Sequence, residues 1–551
     1  MKGFHAMKEL DGWRPTFRAA RAPTPVARLA GMALMASAIA GCEGSGSGGD
    51  GLEIRNQPIS PHCTPALGFG PSGLSILPAG STGTAGTARA LLVQEEPPGT
   101  SVFDLETEAP KLLSFTNIGV DSDGDGRDDA TAARPIFGFP LSPIPGEIQI
   151  ARDDRAFVST SNYEQVLPIN PTTAAPIEIE IEVPADVPPE RYPLLPSPGQ
   201  SGRRTGISTL ACIVPPSDRT TDSSGLALAP EPACDPDRAS YLTRLTAGKA
   251  LAAGRLFVAT SNLISGVRFA PGTLLVYDWV ETAQGITVRP ARDRPILFTS
   301  AFNPTGLTRF RTPSGRELVL VVATGAIGTG SGGANVLSES AVDVIDASAA
   351  RIVATIPLGF AGPAFDAPAI DPSGRIAWLG ASSQRQLYAI DLRPLDDPAL
   401  FAPIAGEGDP PILLDGLTTG FPDARVFTGD RPLVLPPRAD GRRSAQCEGL
   451  TDVAVNAAGS EALATDFCDG TLTRVRLDLG PGASIPWPAD RFQIAAQTQP
   501  FEPNDALGGL RSPGLLTVRP GIPGVDFSSP DVLVLAGQPD AQLCALRVET
   551  R

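Results

Sequence analysis

The chain has 551 residues, 42% of them apolar, so it can bury a sizeable core. Its 58 glycines and 57 prolines fall short of the roughly 25–30% that marks low-complexity disorder. With 44 basic against 60 acidic residues the net charge is −16, which excludes general nucleic-acid binding, and the two histidines, His5 and His62, leave little room for histidine-dependent metal or triad chemistry.

The first 28 residues carry six basic side chains (Lys2, Lys8, Arg14, Arg18, Arg21, Arg28) and two acids. An apolar run follows, Leu29 to Ala40. Twelve residues span about 18 Å as a helix, too short to cross a bilayer. A basic start, a short apolar run and small residues before Cys42 read as an export signal over residues 1–41. The run Ile39-Ala40-Gly41-Cys42 resembles the lipobox of bacterial lipoproteins. That resemblance implies cleavage before Cys42, lipidation of Cys42 and an address in the bacterial cell envelope, at the periplasmic or surface face of the outer membrane. An ordinary secretory signal with a chance cysteine is the alternative. Residues 42–50, rich in Gly and Ser, form a flexible tether. Residues 51–551 form the folded part, and lipid is the anchor in view because no later apolar run reaches 18 residues.

A repeat organises the folded part. The pattern RxFVxTSN occurs at 155–162 and again at 255–262. Five more segments fill the same slot: RALLVQEE (89–96), LVLVVATG (318–325), RIAWLGAS (375–382), EALATDFC (461–468) and DVLVLAGQ (531–538). Each is a β-prone run leading to a turn and a second β-prone run, giving seven hairpins of strands B and C. APAIDPSG (367–374) and DVAVNAAG (452–459) read as inner strands A. RIVATIPLG (351–359) and IEIEIEV (177–183) read as outer strands D. In the latter Ile177, Ile179 and Ile181 alternate with Glu178, Glu180 and Glu182, so one face meets solvent. Seven four-stranded antiparallel units imply an all-β, seven-bladed β-propeller. The stretches 340–359 and 367–392 resemble the YVTN-type propeller repeats of bacterial surface proteins. A pair of β-sandwiches is the competing architecture. The chain ends soon after the seventh hairpin, so GLEIRNQPI (51–59) is expected to supply the missing outer strand and close the ring.

Apart from Cys42, six cysteines remain, and in an exported chain an even count points to disulfides. Cys447 and Cys468 lie equally far from the turn centred between residues 457 and 458, so they face each other across an antiparallel pair. Cys212 and Cys234 share one insertion. Cys63, just after the closing strand, is left with Cys544 on the last strand, its expected neighbour.

Asp121, Asp123, Asp125 and Asp129, spaced D-x-D-x-D-G-x-x-D, gather oxygen ligands around one point, and the Arg127 carbonyl can add another. This is hard-cation chemistry. The loop resembles the calcium loops of integrin-type propellers, thrombospondin type-three repeats and EF-hands, and the resemblance implies structural Ca²⁺. It departs from the EF-hand at Ala132, where a bidentate Glu stands in that family. The alternative is an acidic solvated loop. Gly328, Gly330 and Gly333 form a G-x-G-x-x-G that leads to a strand rather than a helix, so it reads as a B–C turn and not a phosphate loop. Trp279 and Trp378 read as core.

Long insertions are expected at about 120–145, 184–239 and 405–447, all between strand D of one unit and strand A of the next. Strand direction puts them on the same face as the B–C turns. The expected role is binding or scaffolding of an envelope protein or polysaccharide through that face. A propeller hydrolase or lactonase-like enzyme with a metal in the central channel, and a purely structural envelope module, are the alternatives.

Overall fold

The computed structural model describes residues 62–117, 145–414, 433–436, 450–477, 492–519 and 532–547, apart from short stretches inside these ranges. All seven expected hairpins form as antiparallel pairs. Their B strands are Arg89–Glu96, Arg155–Thr160, Arg255–Thr260, Glu317–Ala323, Ile376–Gly380, Glu461–Asp466 and Val532–Gln538. The B strands of units two, five and six are buried at every position. Their apolar residues therefore stand side by side, as in Ala156–Val158, Ile376–Leu379 and Ala462–Ala464, rather than alternating with polar ones.

Inner strands precede the hairpins: Pro145–Arg152, Thr246–Ala252, Pro304–Arg311, Ala369–Ile370, Leu450–Val455 and Ser512–Arg519. Each pairs with its own B strand. Inner strands of successive units also touch one another, and the last touches the first strand of the sheet, so the series closes on itself. Between units four and five the Thr308 hydroxyl donates to the Pro368 carbonyl at 2.9 Å. The buried clusters sit between consecutive units. Leu91 and Val93 pack with Ile148 and Val158, Phe257 with Val319 and Val321, and Trp378 with Leu450 and Ala464. Burying each such side chain contributes roughly 1.5–3 kcal/mol. At Gly248 the inner strand of unit three meets that of unit four so closely that a Cβ would stand 2.7 Å from the Leu307 nitrogen. A closed ring of antiparallel sheets packed face to face is a β-propeller.

The sheets differ from seven separate blades. Among the described residues six sheets have four or more strands. Two have seven strands, and in one of these the reason is that His62–Leu77 belongs to two units at once. Its start pairs with the last strand, Asp540–Arg547, with Cys63 opposite Cys544. Its end pairs with Arg89–Glu96, with Ile76 opposite Ala90. The N-terminal strand therefore joins the last unit to the first, as expected, but the residues that pair are His62–Pro65 and Phe69. Residues 51–59 lie outside the described residues.

The IEIEIEV segment is a correction. Ile179–Glu182 does not form the outer strand of unit two. It pairs parallel with Gly285–Pro290, the outer strand of unit three, and antiparallel with Ser201–Arg204. The alternation itself holds, with Ile179 and Ile181 buried and Glu182 exposed. The reason lies in strand C of unit two, Gln165–Ile169. The Pro168 carbonyl accepts from the Ile177 nitrogen at 2.9 Å, so residue 168 turns its backbone groups to that edge. Proline has no N–H to return, and the pairing stops there. The outer strand of unit two is instead Ile207–Ser208, delivered after a long excursion. Unit five behaves alike: Ile412–Leu413 pairs parallel with Arg351–Gly359 of unit four before Leu433–Val434 completes unit five. No helix among the described residues is long and apolar enough to cross a membrane.

Candidate functional site

The insertion between units two and three lies on the B–C turns, the face expected from strand direction. The Thr209 nitrogen donates to the Glu164 carbonyl at 2.6 Å and the Ser223 nitrogen to the Phe269 carbonyl at 2.9 Å. The Tyr241 hydroxyl donates to the Pro271 carbonyl at 2.8 Å. Arg268 Nε donates to Asp222 Oδ2 at 2.6 Å. Asp222 Oδ1 also accepts from the Ser224 hydroxyl and from the Ser224 and Leu226 nitrogens; burial alone would raise its carboxyl, but these bonds and the one from Arg268 together hold it below the usual range. Cys212 and Cys234 are joined by a disulfide, with Cα atoms 5.2 Å apart. The insertion is not an appended loop. Ile207, Ala211, Ile213 and Tyr241 share one buried cluster with Tyr277, Trp279 and Val288 of unit three.

The repeated motif explains itself in this setting. Phe157 of unit two packs edge-on against Trp279 of unit three, ring centroids 5.1 Å apart. Arg255 reaches Asp293 at 2.8 Å. Thr260 and Thr273 share a hydrogen bond of 2.6 Å across the end of strands B and C. Asn262 has φ 58°, a left-handed conformation that asparagine tolerates. Its side chain donates to the Pro271 carbonyl at 2.8 Å and to Thr273 Oγ1 at 2.9 Å, and accepts from the Arg244 nitrogen at 3.2 Å. The TSN triplet thus closes the B–C turn and receives the chain arriving at the inner strand.

Glu164, Lys249 and Asp343 are among the buried charged residues that the sequence did not single out. Glu164, at the B–C turn of unit two, accepts from the Leu245 and Thr246 nitrogens at 2.8 and 3.2 Å and from Thr246 Oγ1 at 3.1 Å. Burial raises its pKa to about 8, with those bonds opposing the shift. Thr246 Oγ1 lies 2.5 Å from Thr209 Oγ1. Lys249, fully buried on the inner strand of unit three, donates to the Glu147 carbonyl and to Ser159 Oγ at 3.3 Å, with Glu147 Oε2 at 3.7 Å. Asp343, also fully buried, accepts from the Ser300 nitrogen at 2.7 Å and Thr355 Oγ1 at 2.8 Å, and burial raises its pKa. These groups are engaged with neighbouring units, so they join units rather than offer an open reactive group. The signal for Lys249 was present in TAGKALA: a lone cation in a strand of small and apolar residues.

The same face carries exposed apolar side chains. Leu226 of the insertion is 57% exposed, Ile264 in the B–C turn of unit three 39%, Leu337 before strand C of unit four 49%, and Phe360 in the connection from unit four to five 56%. Along the inner strands, carboxylates near the starts are engaged: Glu147 with Lys249, and Asp452 with the Val453 nitrogen at 2.7 Å. Among the described residues no three of His, Cys, Asp and Glu gather to hold a metal.

Of the residues singled out by sequence, Cys212 and Cys234 are brought together, and Cys63 is placed opposite Cys544 in register. Trp279 and Trp378 are buried. Gly328, Gly330 and Gly333 fall in a short hairpin within the B–C connection of unit four. Cys42, Asp121, Asp123, Asp125, Arg127, Asp129, Cys447 and Cys468 lie outside the described residues.

Neither a protein-family model nor a curated protein matches the chain. Solved structures do. The β-propeller domain of Cps50 (Swd1) from Myceliophteria thermophila aligns at 9% identity and TM-score 0.42, covering 88% of this chain and 99% of that one. Hydrazine synthase of Kuenenia stuttgartiensis aligns at 10% identity and TM-score 0.46, covering 89% and 98%. Saccharomyces cerevisiae Sqt1 aligns at 6% identity and TM-score 0.43, covering 90% and 100%.

Proposed function

We propose that this chain is a lipid-anchored, seven-bladed β-propeller that binds or scaffolds an envelope protein or polysaccharide through its B–C-turn face. The observation that carries the reading is the insertion built onto that face. It is stapled by Cys212–Cys234, packed into the core, and presents Leu226 beside turns that expose Ile264 and Leu337. Rigid loops on a scaffold lose little entropy on binding, which favours recognition. The blade count follows from taking the sheet that contains His62–Leu77 as two blades sharing that strand, beside five other sheets of four or more strands. Cys42 is the acylation site, and the first described strand, from His62 to Phe69, runs toward the B–C turns. His62 pairs with Ala545, and Phe69 pairs with Asp540, which opens strand C of the last unit. Entry from the opposite end leaves the B–C face turned away from the membrane. Asp121, Asp123, Asp125 and Asp129, with the Arg127 carbonyl, hold a structural Ca²⁺. Cys63–Cys544 and Cys447–Cys468 are the remaining staples, and the register opposite Cys544 supports the first.

The test compares cross-linked partners in envelopes of cells carrying the native chain or the triple variant Leu226→Asp, Ile264→Asp, Phe360→Asp. The variant should keep its melting temperature and lose specific partners. A variant that captures the same set places the binding face elsewhere. Cys42→Ser should release either form from membranes, because stable anchoring needs its acyl chains; retention after carbonate washing would refute the anchor.

A further inference from the structure

The exposed apolar side chains of the B–C face form one line across units three, four and five. The loop that carries Leu226 lies on the B–C hairpin of unit three. The Phe269 nitrogen donates to Ser223 Oγ at 3.1 Å, and the Leu226 nitrogen donates to the same Asp222 carboxyl that holds Arg268. That hairpin, Leu263–Ser265 with Arg268–Phe269, leaves Ile264 at the surface and packs Leu263 and Phe269 against Ala326 of unit four. The Leu337 nitrogen donates to the Ala326 carbonyl at 2.7 Å. Three residues on, Ser340 opens strand C and pairs with Gly359, next to Phe360. Leu226, Ile264, Leu337 and Phe360 thus follow one another over a continuous run of contacts, each exposed above buried anchors such as Asp222, Leu263 and Ser340.

The charge beside this line is one-sided. Arg268 is committed to Asp222, Arg219 to the Thr299 carbonyl, and Arg244 lies near the buried Glu164. Asp218 and Asp237 on the stapled insertion, and Glu339 beside Leu337, are exposed and have no ion-pair partner among the described residues. Against them stands the exposed Arg238. Sugar rings are gripped by stacking their C–H faces on exposed Tyr or Trp, whose flat rings also carry a polar handle. The tyrosines and tryptophans among the described residues, Tyr192, Tyr241, Tyr277, Tyr388, Trp279 and Trp378, are all buried.

We propose that this line takes an apolar segment of a partner protein, flanked by Lys or Arg, and not a polysaccharide. The inference rests on the B–C face being the binding face, as proposed above, and adds the chemistry of what binds there. Aliphatic side chains of the partner cover Leu226, Ile264 and Leu337 and remove them from water, which supplies the affinity. Basic side chains of the partner meet Asp218, Asp237 and Glu339 at the rim, where charge sets approach and choice of partner more than strength. An acidic segment would be repelled by these carboxylates and by a chain of net charge −16.

The full chain carrying Cys42→Ser, so that no acyl anchor contributes, is titrated by calorimetry with two synthetic peptides. Both share one pattern of leucines, and the remaining positions are Lys in one and Glu in the other. In parallel the protein is sedimented with peptidoglycan sacculi. The Leu/Lys peptide should bind saturably and about tenfold more tightly than the Leu/Glu peptide. Leu226→Ser with Ile264→Ser, which leaves the charge unaltered, should abolish that binding with the melting temperature unchanged. Asp218→Asn with Glu339→Gln should weaken it several-fold and narrow the gap between the peptides. Leu413→Ser, at an exposed leucine on the outer rim of unit four, should change nothing. Equal binding of the two peptides overturns the inference, as does a Leu/Lys peptide that fails to bind at millimolar concentration. So does a loss with Leu413→Ser as great as with Leu226→Ser and Ile264→Ser, because the contact is then a general surface effect. Binding to sacculi that Leu226→Ser with Ile264→Ser removes also overturns it, making the ligand a polysaccharide while leaving the B–C face as the binding face. Failure of the face itself reads differently, as unchanged cross-linked partners in the triple aspartate variant.

Discussion

Replacing Glu164 with Gln tests whether buried polar contacts, rather than apolar packing alone, join units two and three. The Glu164 pKa is raised by burial to about 8, while an unfolded chain has it near about 4.3. Between those values the folded state binds the extra proton, so stability falls as pH rises and levels off above about 8. The limiting slope is about 1.4 kcal/mol per pH unit, and the full cost of ionising the buried carboxyl is on the order of 5 kcal/mol. The protonated acid suits its site, because its hydroxyl can donate to Thr246 Oγ1 while the other oxygen accepts from the Leu245 nitrogen. Glutamine keeps one acceptor but turns an NH₂ toward the Thr246 nitrogen, a donor facing a donor, at about 1–2 kcal/mol. The native chain should therefore be more stable than Glu164→Gln at pH 5 and less stable at pH 8. The assay is urea denaturation of both proteins across that range, read as the difference in unfolding free energy, which cancels other titrating groups. Parallel curves would refute the argument. A native chain that gains on the variant as pH rises would mean the three donors hold Glu164 ionised.

Removing the staple by Cys212→Ser with Cys234→Ser opens a link of sequence separation 22 and should lower stability by about 3 kcal/mol, seen in denaturation with and without reductant; an unchanged midpoint would show that core packing alone fixes the insertion. Peptide mapping without reduction should recover Cys63 joined to Cys544, the residue opposite it in register, and finding Cys63 linked to Cys212 or Cys234 would sink the seam. Millimolar Ca²⁺ should raise the melting temperature by mass action, and Asp123→Ala should remove most of that rise; no thermal shift and no heat of binding would leave an acidic solvated loop.

The hairpins were legible because two β-prone runs around a short turn are a local signal, read without knowing any neighbour. The same holds for Ile179 and Ile181, whose alternation with glutamates correctly marked one buried face. Which edge they join was not legible. It depends on Pro168 in one strand and on an open edge at Gly285–Pro290, more than a hundred residues further on. The outer strand of unit two is two residues long, Ile207–Ser208, too short to carry a pattern. Glu164 and Lys249 escaped for a related reason. Their environment is made by another unit, and a charge in a turn or strand looks solvated until that unit is in place.

The excursions of units two and five change how the B–C face must be interrogated. Without Ile179–Glu182, the outer strand of unit three would present open backbone groups, which invite pairing with another chain. With it, the outermost strand of that sheet is Ser201–Arg204, where Arg203 and Arg204 place charge along the rim and oppose such pairing. The same segment then returns to complete unit two at Ile207–Ser208, and only afterwards forms the stapled loops over the B–C turns. Deleting residues 190–236 therefore removes an outer strand, a rim and part of a core cluster along with the binding loops. Loss of partners after such a deletion would report a damaged ring and not a lost contact. Substitutions at exposed Leu226, Ile264 and Phe360 act on the face alone, and for that reason they carry the test.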